Sequence, residues 1–173
     1  MAILSSPVRL WSLPSAILLV ALSIWGALRY PHLPERIPMH LGSDGVDTWT
    51  DKSIGSAFVL VFVYAGATLV MAGSAELTLR LTPRDELTAT DTTSFAASSL
   101  VNRPRSHASA LRIARAVWLL NACIGITMLA GCALLWHSTP DLDIPGWLPV
   151  AFLAPILAGT AVLIAAAVRD RKG

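Results

Sequence analysis

Charged side chains are scarce in this sequence. Asp, Glu, Lys and Arg make up 14% of its 173 residues, where a soluble domain carries about 25%. Hydrophobic residues make up 54%, and the mean hydropathy is +0.62. Those figures exclude a soluble globule. They also exclude a disordered chain, which needs low hydrophobicity together with high charge. The formal net charge of +2 is too small to suggest a nucleic-acid partner. Cysteine is nearly missing. Cys123 and Cys132 cannot build a disulfide framework. Their spacing turns them to opposite sides of a helix, as expected of inert buried thiols. Motifs for chemistry are lacking as well: there is no recognisable Ser–His or Cys–His nucleophile motif, no His-Glu-x-x-His and no Gly-rich phosphate loop. The expectation is a protein that is not an enzyme and holds no cofactor.

The apolar residues fall into four runs, 11–28, 54–75, 116–136 and 147–168, none of which holds an Asp, Glu, Lys or Arg. Each approaches the roughly 20 helical residues that cross a bilayer core of about 30 Å. Unpaired backbone groups cost several kcal/mol each in lipid, so continuous apolar runs read as helices. The fold class expected is all-α integral membrane: one domain over 1–173, built as an antiparallel four-helix bundle. The first run is too long for a signal-peptide core, and Trp25 sits where a small-residue cleavage site would have to follow. Ion-coupled carriers keep charged groups at mid-membrane depth, so their absence from the runs argues against such a carrier. Asn121, Tyr64, Thr68, Thr127 and Thr160 read as polar ties between helices. Pro155 is expected to kink the fourth helix. The pairs Ala154/Ala158 and Ala161/Ala165 suit close packing, inside the bundle or in a homodimer.

Charge sets the orientation. Arg9, the 76–115 segment and the C-terminal tail hold ten of the thirteen basic residues and five of the eleven acids. The other side holds Arg29, Arg36 and Lys52 against six acids. The positive-inside bias therefore predicts a multi-pass protein of the cell membrane with both termini cytoplasmic. Loop 76–115 is then cytoplasmic. Glu76 and Arg80, four apart at a helix end, are placed to pair. The arginines at 103, 105, 112 and 115 read as contacts to anionic lipid, or less simply as a dock for a cytoplasmic partner.

The outer loop, 29–53, carries the information. Pro31, Pro34 and Pro38 stiffen its first half. The 37–41 stretch reads as a strand, Gly42-Ser43-Asp44-Gly45 as a turn, and 46–50 as the returning strand of a hairpin. Asp51 or Ser53 is placed to cap the second helix. Lys52 is expected to snorkel to water, and Trp49 suits the interface belt. His32, His40, Asp44, Asp47 and Asp51 are candidate metal ligands, but their spacing matches no zinc signature. Asp beside a turn is common for backbone reasons alone.

Tyr30, Leu33-Pro34-Glu35, Ile37-Pro38-x-His40, Gly45, Trp49 and Lys52-Ser53 together form a pattern. Over about residues 15–75 the sequence resembles domain of unknown function 1648. That small membrane module is best known from SdpI-like immunity proteins of Gram-positive bacteria. The resemblance implies protection against a secreted toxic peptide, relayed in some members to a cytoplasmic regulator. It implies no chemistry. Leu33, Pro34, Ile37, Pro38, His40, Gly45, Trp49 and Lys52 carry over as motif and recognition positions, not as catalytic residues. The partners expected are the lipid bilayer, a secreted peptide on the outer face, and a second copy or another membrane protein. The alternative expectation is an accessory or structural subunit of a membrane transport or export complex.

Overall fold

The computed structural model describes residues 7–42, 45–87, 103–136 and 146–172, and for 39–42 and 45–47 the backbone only. Four helices, α1 (Arg9–Arg29), α2 (Val59–Arg80), α3 (His107–Trp136) and α4 (Leu148–Lys172), are long and apolar enough to cross a membrane. Between α1 and α2 lie a 3-10 turn (Tyr30–His32), strands β1 (Arg36–Gly42) and β2 (Gly45–Asp51), and a helical turn (Ile54–Ala57). The expected membrane bundle with a hairpin between its first two helices is what the chain forms.

Three of the helices, α1, α3 and α4, are longer than their apolar runs. α3 starts at His107, nine residues before the run that begins at Ala116. Its first turn is closed by the Ser106 hydroxyl, which accepts from the Ser109 N–H at 3.3 Å. The second run is broken once, at Phe58, between the helical turn and α2.

α3 is the hub. It packs against all three other helices. Of its most apolar membrane-length window, 44% is buried, against 11–17% for the other three. Asn121, fully buried, donates from Nδ2 to Thr68 Oγ1 of α2 at 3.1 Å. Thr127 donates to the Phe152 carbonyl of α4 at 3.1 Å. Pro155 sits inside a continuous α4. It has no N–H for the Ala151 carbonyl four residues before it, and Thr127 donates one residue further on, to Phe152. Tyr64 of α2 reaches the Ser15 carbonyl of α1 at 3.4 Å. Tyr64, Thr68, Asn121 and Thr127 do tie helices together.

The small-residue pairs of α4 are not buried inside the bundle. Ala154, Ala158, Ala161 and Ala165 are all exposed. The buried face of α4 is instead Leu148, Gly159, Ala166 and Asp170. A Cβ on Gly159 would stand 3.0 Å from the Leu120 backbone, so glycine lets α3 and α4 touch there. Lipid tails are as apolar as leucine, so small residues alone do not tell which face meets protein.

At the end of the bundle that carries the chain termini, Arg80 Nε meets Glu76 Oε1 at 2.6 Å, as their spacing predicts. A second polar knot was not evident from the sequence. The Arg84 N–H donates to the Pro104 carbonyl and the Asp85 N–H to the Arg105 carbonyl, both at 3.1 Å. Asp170 near the end of α4 is 8% exposed. It accepts from the Arg105 N–H at 2.8 Å and from Arg84 Nη2 at 3.4 Å. The C-terminal end of α4 is thereby pinned to the stretches that follow α2 and precede α3.

Candidate functional site: the hairpin and its aromatic seat

Proline starts the construction. Pro31 opens the 3-10 turn, where its missing N–H is not needed. Pro34 biases the residue before it to extended backbone, and Leu33 lies at φ −73°, ψ 144°. β1 and β2 then pair antiparallel, from Arg36 opposite Asp51 and Ile37 opposite Thr50 to Gly42 opposite Gly45. The ladder is irregular between Pro38 and Leu41. Pro38 donates nothing to a partner strand, so a break at that point is expected. Beyond the hairpin, Ser53 caps the helical turn. Its hydroxyl accepts from the Ser56 N–H at 3.1 Å, while Ser56 Oγ accepts from the Ser53 N–H at 3.0 Å. Of the two expected cap residues, Ser53 is the one used, in a reciprocal box.

One side of the hairpin is buried. Ile37 is 0% and Leu33 6% exposed, in one cluster with Leu22, Val61, Tyr64, Cys132 and Trp136. Burying two such side chains contributes about 1.5–3 kcal/mol each. The seat beneath is aromatic. Trp25 and Trp136 meet edge to face at 5.0 Å between centroids. Phe58 lies 6.0 Å from Trp136 and 6.1 Å from Tyr30. A Cβ on Gly26 would stand 2.7 Å from both the Phe58 and Trp136 rings, so only glycine leaves room. Trp136 Nε1 donates to the Ala57 carbonyl at 2.9 Å, and Arg29 Nη2 donates to the Trp136 carbonyl at 3.0 Å. Three helical segments are joined through that one residue.

Lys52 is half-buried and turned back onto the start of the loop. Its Nζ donates to the Leu33 carbonyl at 2.9 Å and sits 5.4 Å from the Tyr30 ring centroid. Its N–H donates to the Glu35 carbonyl at 2.7 Å. A local carbonyl and a ring face thus stabilise its ammonium group. Lys52 therefore fastens the end of the hairpin back onto its beginning.

The motif positions thus separate into two groups. Leu33, Ile37, Pro38 and Lys52 hold the cap together, the first three buried. Pro34 and Trp49 face outward, Trp49 at 37% exposure. Gly45 opens β2 opposite Gly42. Arg36 Nε and Asp51 Oδ1 lie 3.8 Å apart across the mouth of the hairpin, both highly exposed, and such a pair adds little. The side chains of His40 and Asp47, and all of Asp44, lie outside the described residues, so the candidate metal ligands are not brought together by anything described. Among the described residues no three His, Cys, Asp or Glu side chains cluster. The sequence reading missed Arg29, Trp25, Phe58 and Trp136. Their signal was present: an aromatic stands at or near the hairpin end of three apolar runs, with Gly26 beside one of them.

β2 has no strand on its other side among the described residues. Its backbone N–H and C=O groups on that edge, with Trp49 alongside, form a template for an added strand.

No curated protein and no solved structure matches the chain. Residues 17–64 match the family model of a domain of unknown function, DUF1648. The match runs from α1 through the hairpin and its seat into α2, the part of the molecule that Lys52, Trp136 and Arg29 fasten together. The chain is therefore a helical protein with four candidate membrane spans, and its residues 17–64 are similar to that domain.

Proposed function

We propose that the chain is a non-catalytic recognition protein of the cell membrane, with its hairpin on the outer face binding a secreted peptide in extended form. The peptide adds to the open edge of β2, and Trp49 supplies an aromatic contact beside the backbone ladder. The observation that carries this reading is the combination of an open strand edge and an exposed Trp49 with a base that is buried and fastened at several points. A pre-organised surface loses little entropy on binding. Immunity of the SdpI-like kind, in which the bound peptide is kept from its target, is the biological role that fits.

The test is a deletion of the gene in its host, followed by challenge with peptide fractions from the spent medium of neighbouring strains. Deletion should sensitise the cells to at least one fraction. The wild-type gene should restore resistance, and Trp49→Ala should not, although it reaches the membrane in normal amount. Unchanged sensitivity across the panel, or full rescue by Trp49→Ala, would overturn the reading.

A further inference from the structure

A groove of about 360 Å³ opens at the end of the bundle opposite the hairpin, between α3 and α4 beside the start of α1. Three arginines are among the residues that line it: Arg112 and Arg115 from α3, and Arg169 from α4. Trp11 stands at its side, and Leu119 and Val162 continue the wall toward the middle of the spans. We propose that this groove binds the headgroup of one anionic phospholipid, its phosphate between the three arginines and an acyl chain along Leu119 and Val162.

Three features carry the proposal. The first is uncompensated charge. None of the three arginines has a carboxylate within 4.0 Å among the described residues. The neighbouring carboxylate in the chain, Asp170, is on the buried face of α4 and is taken by the Arg105 N–H and Arg84. The second is an unmet donor. Arg115 Nε is buried and makes no hydrogen bond among the described residues. A buried donor left alone is costly, and a phosphate oxygen is a strong acceptor for a guanidinium edge. The third is the mixture of surfaces. A soluble anion needs only the arginines. A groove that joins three cations to an apolar wall and an indole, on helices that cross a membrane, fits a molecule with a charged head and a hydrocarbon tail. Arg112 and Arg115 are three apart, so they share a face of α3. Arg169 lies in the last turn of α4, where the helix dipole favours a cation. The site thus deepens a general bias for basic residues on this side into one defined position.

The test is native mass spectrometry of the full chain released from nanodiscs of phosphatidylcholine with one fifth phosphatidylglycerol. One phosphatidylglycerol should remain bound where phosphatidylcholine is lost. Each of Arg115→Gln and Arg169→Gln should weaken its retention about fivefold, from roughly 1 kcal/mol per arginine near an anionic surface. Arg80→Gln removes the same charge at the same end, away from the groove, and should leave retention unchanged. Arg169 is exposed, so its variant keeps the question open should Arg115→Gln fail to fold. Equal loss in Arg80→Gln would reduce the effect to net charge and overturn the site. Displacement of the lipid by millimolar inorganic phosphate would assign the groove to a soluble anion instead. No retained anionic lipid would overturn it outright.

Discussion

Lys52 and Gly26 show how much of the cap depends on single atoms. Lys52 Nζ holds the Leu33 carbonyl, and nothing else described donates to that oxygen. Lys52→Met keeps the stem and removes the charge and the donor. It should cost about 1.5–3 kcal/mol, the value of a hydrogen bond to a charged group. Titration of the protein in mixed micelles with a denaturing detergent reads that loss directly, with Lys52→Arg expected to recover part of it. Gly26 is the opposite case, a residue that matters for what it lacks. Gly26→Val forces a branched side chain into space that Phe58 and Trp136 occupy at 2.7 Å from a Cβ. Overpacking of this kind costs about 1–3 kcal/mol. The same titration should show it, together with a change in tryptophan emission because Trp136 must move. A variant as stable as the wild type would mean that the seat is looser than its geometry.

At the scale of elements, legibility in the sequence followed a simple physical line. Whatever depends on local chain chemistry could be read. The four spans follow from length and apolarity, the hairpin from its prolines and glycine turn, and the Glu76–Arg80 pair from helical spacing. What depends on which face of an apolar helix meets protein could not be read. Every side of α4 is hydrophobic, so the pattern carries no direction, and the alanine pairs proved to be exposed. The identity of α3 as the hub was hidden for the same reason. The Asp170 knot was hidden for another: its partners lie 65 and 86 residues away in the chain, and no periodicity links them. That knot carries its own prediction. Asp170→Asn retains one acceptor oxygen and loses the charge that holds Arg84. It should destabilise the protein by about 1–3 kcal/mol, and Asp170→Ala should do so more strongly. Thermal unfolding followed by circular dichroism distinguishes the two. Identical melting of both variants and the wild type would show that α4 is held by its packing on α3 alone.

At the scale of the whole molecule, the distribution of charge becomes a statement about orientation. Basic residues near the ends of spans resist transfer across a membrane, and the bias acts on short loops close to the helices. Arg9, Arg80, Arg112, Arg115, Arg169, Arg171 and Lys172 all stand at one end of the bundle, while the hairpin end holds Arg29, Arg36 and Lys52. Arg29 and Lys52 are occupied by the Trp136 and Leu33 carbonyls, so little free positive charge resists export of the hairpin. The expected arrangement therefore has the hairpin outside and Arg171 inside. Cysteine labelling in intact cells can decide it. Cys123 and Cys132 both lie within α3, and Cys132 is fully buried, so a charged maleimide should leave the unaltered protein nearly unmarked. Thr48→Cys, on an exposed position of β2, should label in intact cells. Arg171→Cys should label only after the membrane is opened. The reverse pattern would place the hairpin in the cytoplasm, which removes any secreted peptide from its reach and defeats the recognition proposed above. The arginine groove would then face the outer leaflet, yet phospholipid retention in nanodiscs, where both leaflets are alike, would not change. Orientation and lipid binding are thus separable, and each experiment tests one physical claim.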